Sequence, residues 1–248
     1  MIAQLFILFG TAFFTAISIF LFKNIPQKKF KIMLSFSGAY LFSITIIHIL
    51  PEMFQATEHY KLAGVYILVG FIIQMVLEYF TSGVEHGHIH IHTNGQKPLT
   101  SLSYSMIIAL CFHSFLDGTL MVHPFHNHSQ NQTYTLLFGL TIHKVPEAFA
   151  FSTVVYSQLN NKKKLLILIL IYSLCSPTGL YMSHALHEQN YIGESFIHFL
   201  FAIVAGNFLY ISTTIFFEAS PDHKFKANKL LLILAGSMAA ALAEFTFN

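Results

Sequence analysis

The chain alternates long apolar runs with short polar segments, and this pattern constrains its fold more than any other feature. A helix needs about 20 apolar residues to cross roughly 30 Å of hydrocarbon. Runs of this length between polar breaks lie at 2–22, 32–50, 62–81, 102–122, 134–156, 165–183, 195–217 and 230–246. We therefore predict an all-α integral membrane protein with eight transmembrane helices, numbered below as spans one to eight.

The composition agrees with this class. Apolar residues make up 54% of the chain and charged residues 10%, whereas a soluble protein carries charge on about a quarter of its residues. We expect the lipid bilayer as surroundings and no nucleic-acid partner. No Gly-Ser or Pro-rich linker divides the chain, so residues 1–248 are predicted to form a single transmembrane domain with a His-rich loop at about 82–101.

Lysine positions predict the orientation, because cytoplasmic loops retain an excess of basic residues near helix ends. Eleven of the 13 basic residues, all of them lysine, fall in or beside the loops after spans one, three, five and seven. These are Lys23, Lys28, Lys29, Lys31, Lys97, Lys162, Lys163, Lys164, Lys224, Lys226 and Lys229. We predict a multi-pass protein of the cell membrane with both termini outside.

Three spans carry a histidine followed four residues later by a carboxylate. The pairs are His48 with Glu52, His113 with Asp117, and His143 with Glu147. On a helix this spacing places both side chains on one face, so each pair offers a nitrogen and an oxygen to one ion. Imidazole and carboxylate together suit a divalent transition metal such as Zn²⁺. A single pair leaves an ordinary buried hydrogen bond open as the alternative, but three pairs favour a metal site.

Prolines accompany these polar positions. Pro51 and Pro146 each remove a backbone donor and free a carbonyl about one turn earlier. Cys175 to Gly179, with Pro177, has two readings that remain open, a helix break lining a cavity or a packing kink.

Two loops add further histidines. His86, His88, His90 and His92 alternate in the loop predicted to be cytoplasmic, while His123, His126 and His128 lie in a loop predicted to be outside. For each group two interpretations remain open, metal binding or a solvated polar loop.

The motifs resemble those of the ZIP (Zrt/Irt-like) family of metal-ion transporters over nearly the whole chain. The resemblance rests on His113-Ser114-x-x-Asp117-Gly118, His143-x-x-Pro146-Glu147 and His48-x-x-Pro51-Glu52. It implies an inverted 3+2+3 arrangement around spans four and five. It also implies that His48, His113, Asp117, His143 and Glu147 surround the ion, with Glu52 as a further candidate ligand.

The chain departs from the family members that hold two adjacent metals. Ser114, Lys144 and Ser176 stand where those members carry Asn, an acidic residue and Glu. An ammonium repels a cation strongly in low dielectric, so we expect a single-metal site. Two orientations of Lys144 remain open, one beside Glu147 and one pointing out of the site toward the interface.

We therefore predict a secondary transporter that imports Zn²⁺, with Fe²⁺, Mn²⁺ and Cd²⁺ as further candidates, by alternating access. The metal is the substrate; no resident cofactor and no enzymatic activity are expected. A homodimer is left open. The rival is an intramembrane zinc-dependent hydrolase, although the H-E-x-x-H motif of many zinc proteases is absent from the sequence.

The predicted orientation can be tested by cysteine labelling. A cysteine at position 127, in the loop between spans four and five, should react with a membrane-impermeant reagent on intact cells. Labelling that requires permeabilisation would contradict the orientation.

Overall fold

The computed structural model describes residues 1–22, 27–55, 57–81, 101–121, 130–159, 161–189, 193–218 and 227–247. Secondary structure in these ranges is helical. The α-helices are α1 Ile2–Ile17, α2 Gln27–Ile44, α3 Leu50–Gln55, α4 Tyr60–Thr81, α5 Ser101–Thr119, α6 Gln130–Gln158, α7 Lys162–Glu188, α8 Glu194–Glu218 and α9 Ala227–Phe247. A 3₁₀ turn, Ser18–Phe20, extends α1, and a π turn, Thr45–Ile49, joins α2 to α3.

Each predicted span corresponds to a helix, with α2, the π turn and α3 together forming span two. Within the described ranges, six of these segments are long and apolar enough to cross a membrane. The other two long helices, α5 and α6, carry the His, Asp, Lys and Glu residues of the candidate site, which lower their mean hydropathy. The prediction of an all-α membrane protein is confirmed.

The π turn in span two has a cause in the sequence. Pro51 has no N–H to donate to the carbonyl of Ile47, and its ring would collide with that carbonyl in a regular α-helix. The wider turn Thr45–Ile49 immediately precedes this point. Span two consequently runs on to Gln55, beyond its predicted end at residue 50, and His48 lies inside the π turn.

Pro177, in contrast, does not interrupt its helix. The segment α7 is helical from Lys162 to Glu188 with Pro177 inside it, so the helix break considered for Cys175 to Gly179 is wrong. The small residues there serve close packing. A Cβ at Gly179 would collide with the Phe115 carbonyl oxygen, and one at Gly118 would collide with the Ser176 carbonyl oxygen. The backbones of α5 and α7 therefore touch beside the candidate site.

Two apolar cores lie on opposite sides of the polar residues. Along α6, buried residues from Leu136 to Leu140 belong to the first core, and those from Ala148 to Val155 belong to the second. The polar segment from His143 to Glu147 lies between them. The order is reversed along α5, where Met106 to Leu110 belong to the second core and Leu116 to Met121 to the first. The candidate site therefore lies near mid-depth, with apolar layers toward both ends.

The outer surface of the bundle is apolar. Large exposed hydrophobic side chains occur on α1, α4, α7 and α9, for example Phe6, Leu68, Ile167 and Leu242. An exposed apolar surface of this extent is what contact with lipid requires. In contrast, most side chains from His143 to Val155 of α6 are buried, so α6 lies in the interior.

Helix α4 packs most extensively on α8, and α2 on α9. Glycines allow the first of these pairs to approach closely, as is common between membrane helices. A Cβ at Gly70 would collide with the Ile203 carbonyl oxygen, and one at Gly206 would collide with the Ile67 carbonyl oxygen. The two glycines thus permit reciprocal backbone contact.

Replacing Gly206 with Ala should destabilise the bundle, because backbone atoms cannot yield to the added methyl group. Overpacking of this kind costs about 1–3 kcal/mol. Thermal unfolding of the detergent-solubilised protein measures the effect. The control is Gly64→Ala on α4, where a Cβ would meet nothing within 4 Å. Equal melting temperatures for the two variants would contradict this account of the α4–α8 contact.

Candidate metal site

Lys144 occupies the centre of the buried polar cluster. Its side chain is fully buried. Its Nζ lies 2.7 Å from Asp117 Oδ2 and 2.6 Å from Glu147 Oε2, and it donates to Ser114 Oγ at 3.2 Å. The outward orientation considered for Lys144 is therefore wrong: the ammonium forms two buried ion pairs, of which the one with Asp117 links α6 to α5.

Three of the predicted ligands converge beside this lysine. Each of three residues offers one ligand atom, and these three atoms lie within 4.8 Å of one another. The residues are His113, His143 and Glu147. All three residues are buried. The imidazole rings of His113 and His143 meet edge to face, with centroids 6.1 Å apart. Among the described residues this is the group of His, Cys, Asp and Glu side chains that is close enough to hold a metal ion.

Polar atoms in this cluster lack hydrogen-bond partners. Among the described residues, neither ring nitrogen of His143 has one, and neither does Asp117 Oδ1. Burying such an atom unsatisfied costs about 1–3 kcal/mol. A cation bound between α5 and α6 would satisfy atoms of this kind, so the cluster has the donor chemistry of an ion-binding site.

Asp117 stands between the lysine and the histidine pair. Its Oδ2 accepts from Lys144 and also lies 3.7 Å from His113 Nε2. If His113 and His143 are neutral, the two carboxylates and one ammonium give the cluster a formal charge of −1. Binding a dication with the ammonium in place would change that charge to +1.

The two serines complete a contact with α7. Ser114 Oγ and Ser176 Oγ are 2.9 Å apart, and Ser176 Oγ also donates to the Ser114 carbonyl at 2.7 Å. Both residues are buried. Where the resemblance places ligands of a second metal, this chain has a hydroxyl pair satisfied by its own hydrogen bonds.

Tyr172 on α7 also borders the cluster. Its buried ring lies 5.9 Å from Lys144 Nζ and stacks on Phe151 with a centroid distance of 4.3 Å. An aromatic face attracts a cation at this distance. Tyr172 was not among the predicted site residues, because an aromatic residue in an apolar span has no distinctive signal.

His48 and Glu52 form a separate cluster with a residue of the last helix. His48 Nδ1 lies 2.9 Å from Glu244 Oε1 and 3.4 Å from Glu52 Oε1. Both His48 and Glu244 are buried. Glu244 was missed by the sequence analysis, although a carboxylate inside apolar span eight was a usable signal. We call His48, Glu52 and Glu244 the His48 cluster.

Other polar residues in the spans have different positions. In the amide orientation that satisfies its hydrogen bonds, Asn207 donates to the Gly70 carbonyl at 2.6 Å, so it joins α8 to α4 and does not face the site. Four predicted candidates, His86, His88, His90 and His92, lie outside the described residues, as do His123, His126 and His128.

Comparison with known proteins agrees with the motifs. A family model described as ZIP zinc transporter matches residues 85–244, more than half of the chain. The protein is also 27% identical over 164 residues to Protein zntD of Dictyostelium discoideum. That match covers 62% of this chain and 24% of zntD, so the chain spans about a quarter of that relative. The matched family residues include both α5 and α6 with their buried cluster, and this protein therefore belongs to the ZIP zinc transporter family.

Proposed function

We propose that this protein is a secondary transporter that carries divalent transition metal ions, Zn²⁺ foremost, through the cluster between α5 and α6. The observation that carries this proposal is the convergence of His113, His143 and Glu147, all buried, within 4.8 Å. Ionisable groups at membrane depth are costly and mark ion pathways. Imidazole nitrogens and a carboxylate oxygen are the usual ligands of zinc.

The ligand distances suit a single metal ion. In tetrahedral zinc sites, bonds of about 2.1 Å place neighbouring ligand atoms about 3.4 Å apart. The three ligand atoms here lie within 4.8 Å of one another, so one ion can contact all of them. Asp117, which now pairs with Lys144, supplies a fourth ligand once that ion pair opens.

Lys144 limits the site to a single ion. It neutralises one carboxylate charge when no metal is bound, which lowers the cost of burying Asp117 and Glu147. A dication repels this ammonium, since like charges interact strongly in low dielectric. The ammonium must therefore move away or lose its proton when the ion binds, which couples metal occupancy to a change at Lys144.

Alternating access follows from the two apolar cores. An ion at mid-depth is separated from both ends of the bundle by buried hydrophobic side chains, so one core must open while the other stays closed. The helix pairs support the inverted 3+2+3 arrangement. If the first three spans are matched in order with the last three, α4 corresponds to α9 and α2 corresponds to α8. The α4–α8 contact therefore corresponds to the α9–α2 contact, and these are the two most extensive contacts in the bundle.

The His48 cluster lies nearer the bundle end that carries the α3–α4 connection. His48 is in the last third of span two and Glu244 is near the end of α9. With both termini outside, this is the outer end. We therefore assign His48 and Glu52 to the outer part of the route, ahead of the buried cluster. The proposed direction of transport is import across the cell membrane.

Family membership disfavours the rival hydrolase. Three protein ligands also describe many catalytic zinc sites, but the chain belongs to a family of transporters. In reconstituted liposomes, metal uptake without added substrate supports transport, whereas hydrolysis without flux supports the enzyme. The same liposomes allow Fe²⁺, Mn²⁺ and Cd²⁺ to be compared with Zn²⁺, and the purified protein allows the open question of a homodimer to be settled.

Replacing Glu147 with Ala should reduce Zn²⁺ uptake into liposomes to the level of protein-free vesicles, because it removes a ligand that the three-residue group needs. The matched control is Glu58→Ala, since Glu58 is an exposed carboxylate outside the helices. Uptake by Glu147→Ala at the rate of the control would refute the proposed site.

Replacing Lys144 with Asp should allow a second ion to bind, because it exchanges a central cation for a ligand. Metal stoichiometry of the purified variant and parent, measured side by side, tests this. Lys61→Asp is the control, since Lys61 is an exposed lysine at the start of α4. Two ions in this cluster of the parent protein would overturn the single-metal proposal.

A further inference from the structure

A cavity of about 170 Å³ lies between α3, α4 and α8, apart from the clusters described above. Its lining includes His59, from the connection between α3 and α4, and His198 of α8. It shares no residue with the group of His113, His143 and Glu147. Two histidines from distant parts of the chain thus line one cavity.

The walls of this cavity are well packed. Tyr66 and Phe199 both line it, and their rings meet edge to face with centroids 4.7 Å apart. The buried residues Met53, Ala63 and Ala202 form a small apolar core that also lines it. Side chains of α3, α4, α8 and the connection between α3 and α4 therefore define the cavity.

The donors in the cavity fit a transition-metal ion. Besides the two imidazoles, the described residues of its lining supply the Met53 thioether and the hydroxyls of Thr57 and Ser195, and among these described residues there is no carboxylate. Imidazole selects zinc and similar ions, while oxygen-preferring Mg²⁺ and Ca²⁺ favour carboxylates. Since a water molecule takes about 30 Å³ in the liquid, the cavity has room for an ion that keeps several waters.

We propose that His59 and His198 form a second, peripheral binding site for a divalent transition metal such as Zn²⁺. Two imidazole ligands bind the ion more weakly than the carboxylate-containing cluster at mid-depth. Met53 directly follows Glu52 of the His48 cluster along α3. The site therefore lies at the same end of the bundle as the His48 cluster, where it collects ions for transport. That role rests on the proposed function, but the binding itself does not.

Equilibrium dialysis with radioactive Zn²⁺ tests the binding. The parent for this experiment carries His143→Ala and Glu147→Ala, and Ser in place of the seven loop histidines, so that these competing ligands are absent. Adding His59→Ala and His198→Ala should remove one bound ion. The matched control adds His184→Ala and His187→Ala instead, two α7 histidines outside the cavity lining, and should bind as much Zn²⁺ as the parent.

Equal Zn²⁺ binding by the cavity variant and the control overturns the proposal. Because His59 is exposed, the single variant His59→Gln keeps the test valid if the double variant fails to fold, and it should bind Zn²⁺ more weakly than the parent.

In liposomes, the cavity variant of the otherwise unmodified protein should show a raised KM for Zn²⁺ uptake with its maximal rate retained. If the Glu147→Ala protein still transports Zn²⁺ in liposomes, the proposed function is wrong, whereas the dialysis result is unaffected.

Discussion

The buried ion pairs of Lys144 with Asp117 and Glu147 constrain the rest of the structure. Three charged groups lie at mid-depth in a membrane protein, and each would be prohibitive alone. Together they compensate one another at distances of 2.6 and 2.7 Å. Removing one partner from a buried pair typically costs about 3–5 kcal/mol. Helices α5 and α6 must therefore pack with these residues at one level, and the hydroxyl pair of Ser114 and Ser176 holds α7 at the same level.

The rest of the bundle isolates this cluster. Apolar cores lie toward both ends of it, and large hydrophobic side chains cover the outside of α1, α4, α7 and α9. Glycines let neighbouring backbones touch where a side chain would separate them. The low dielectric that results makes the unsatisfied donors and acceptors costly, and it also strengthens their attraction for a cation. Isolation and ion affinity thus have one physical origin.

A lysine in the middle of the candidate metal site gives this family member a built-in counter-charge. The proposed cycle exchanges one cation for another: the ammonium balances the carboxylates of the metal-free site, and the metal replaces it. In our proposal the route passes from the cavity with His59 and His198, through the His48 cluster, to the mid-depth group. An ion on this route meets imidazoles first and carboxylates afterwards, so its binding strengthens along the inward route.

The sequence by itself determined the helical spans, the pairing of each histidine with a carboxylate one turn away, and the likeness to the ZIP family. All of these depend on local spacing along one helix, which periodicity reveals. Only the tertiary structure decided that Lys144 points inward and that the six predicted ligands divide into two clusters. It also brought in Tyr172, Glu244 and the cavity lined by His59 and His198. Such contacts join distant residues, as His48 and Glu244 are 196 positions apart. They depend on how helices pack and rotate against one another, and no local pattern encodes that.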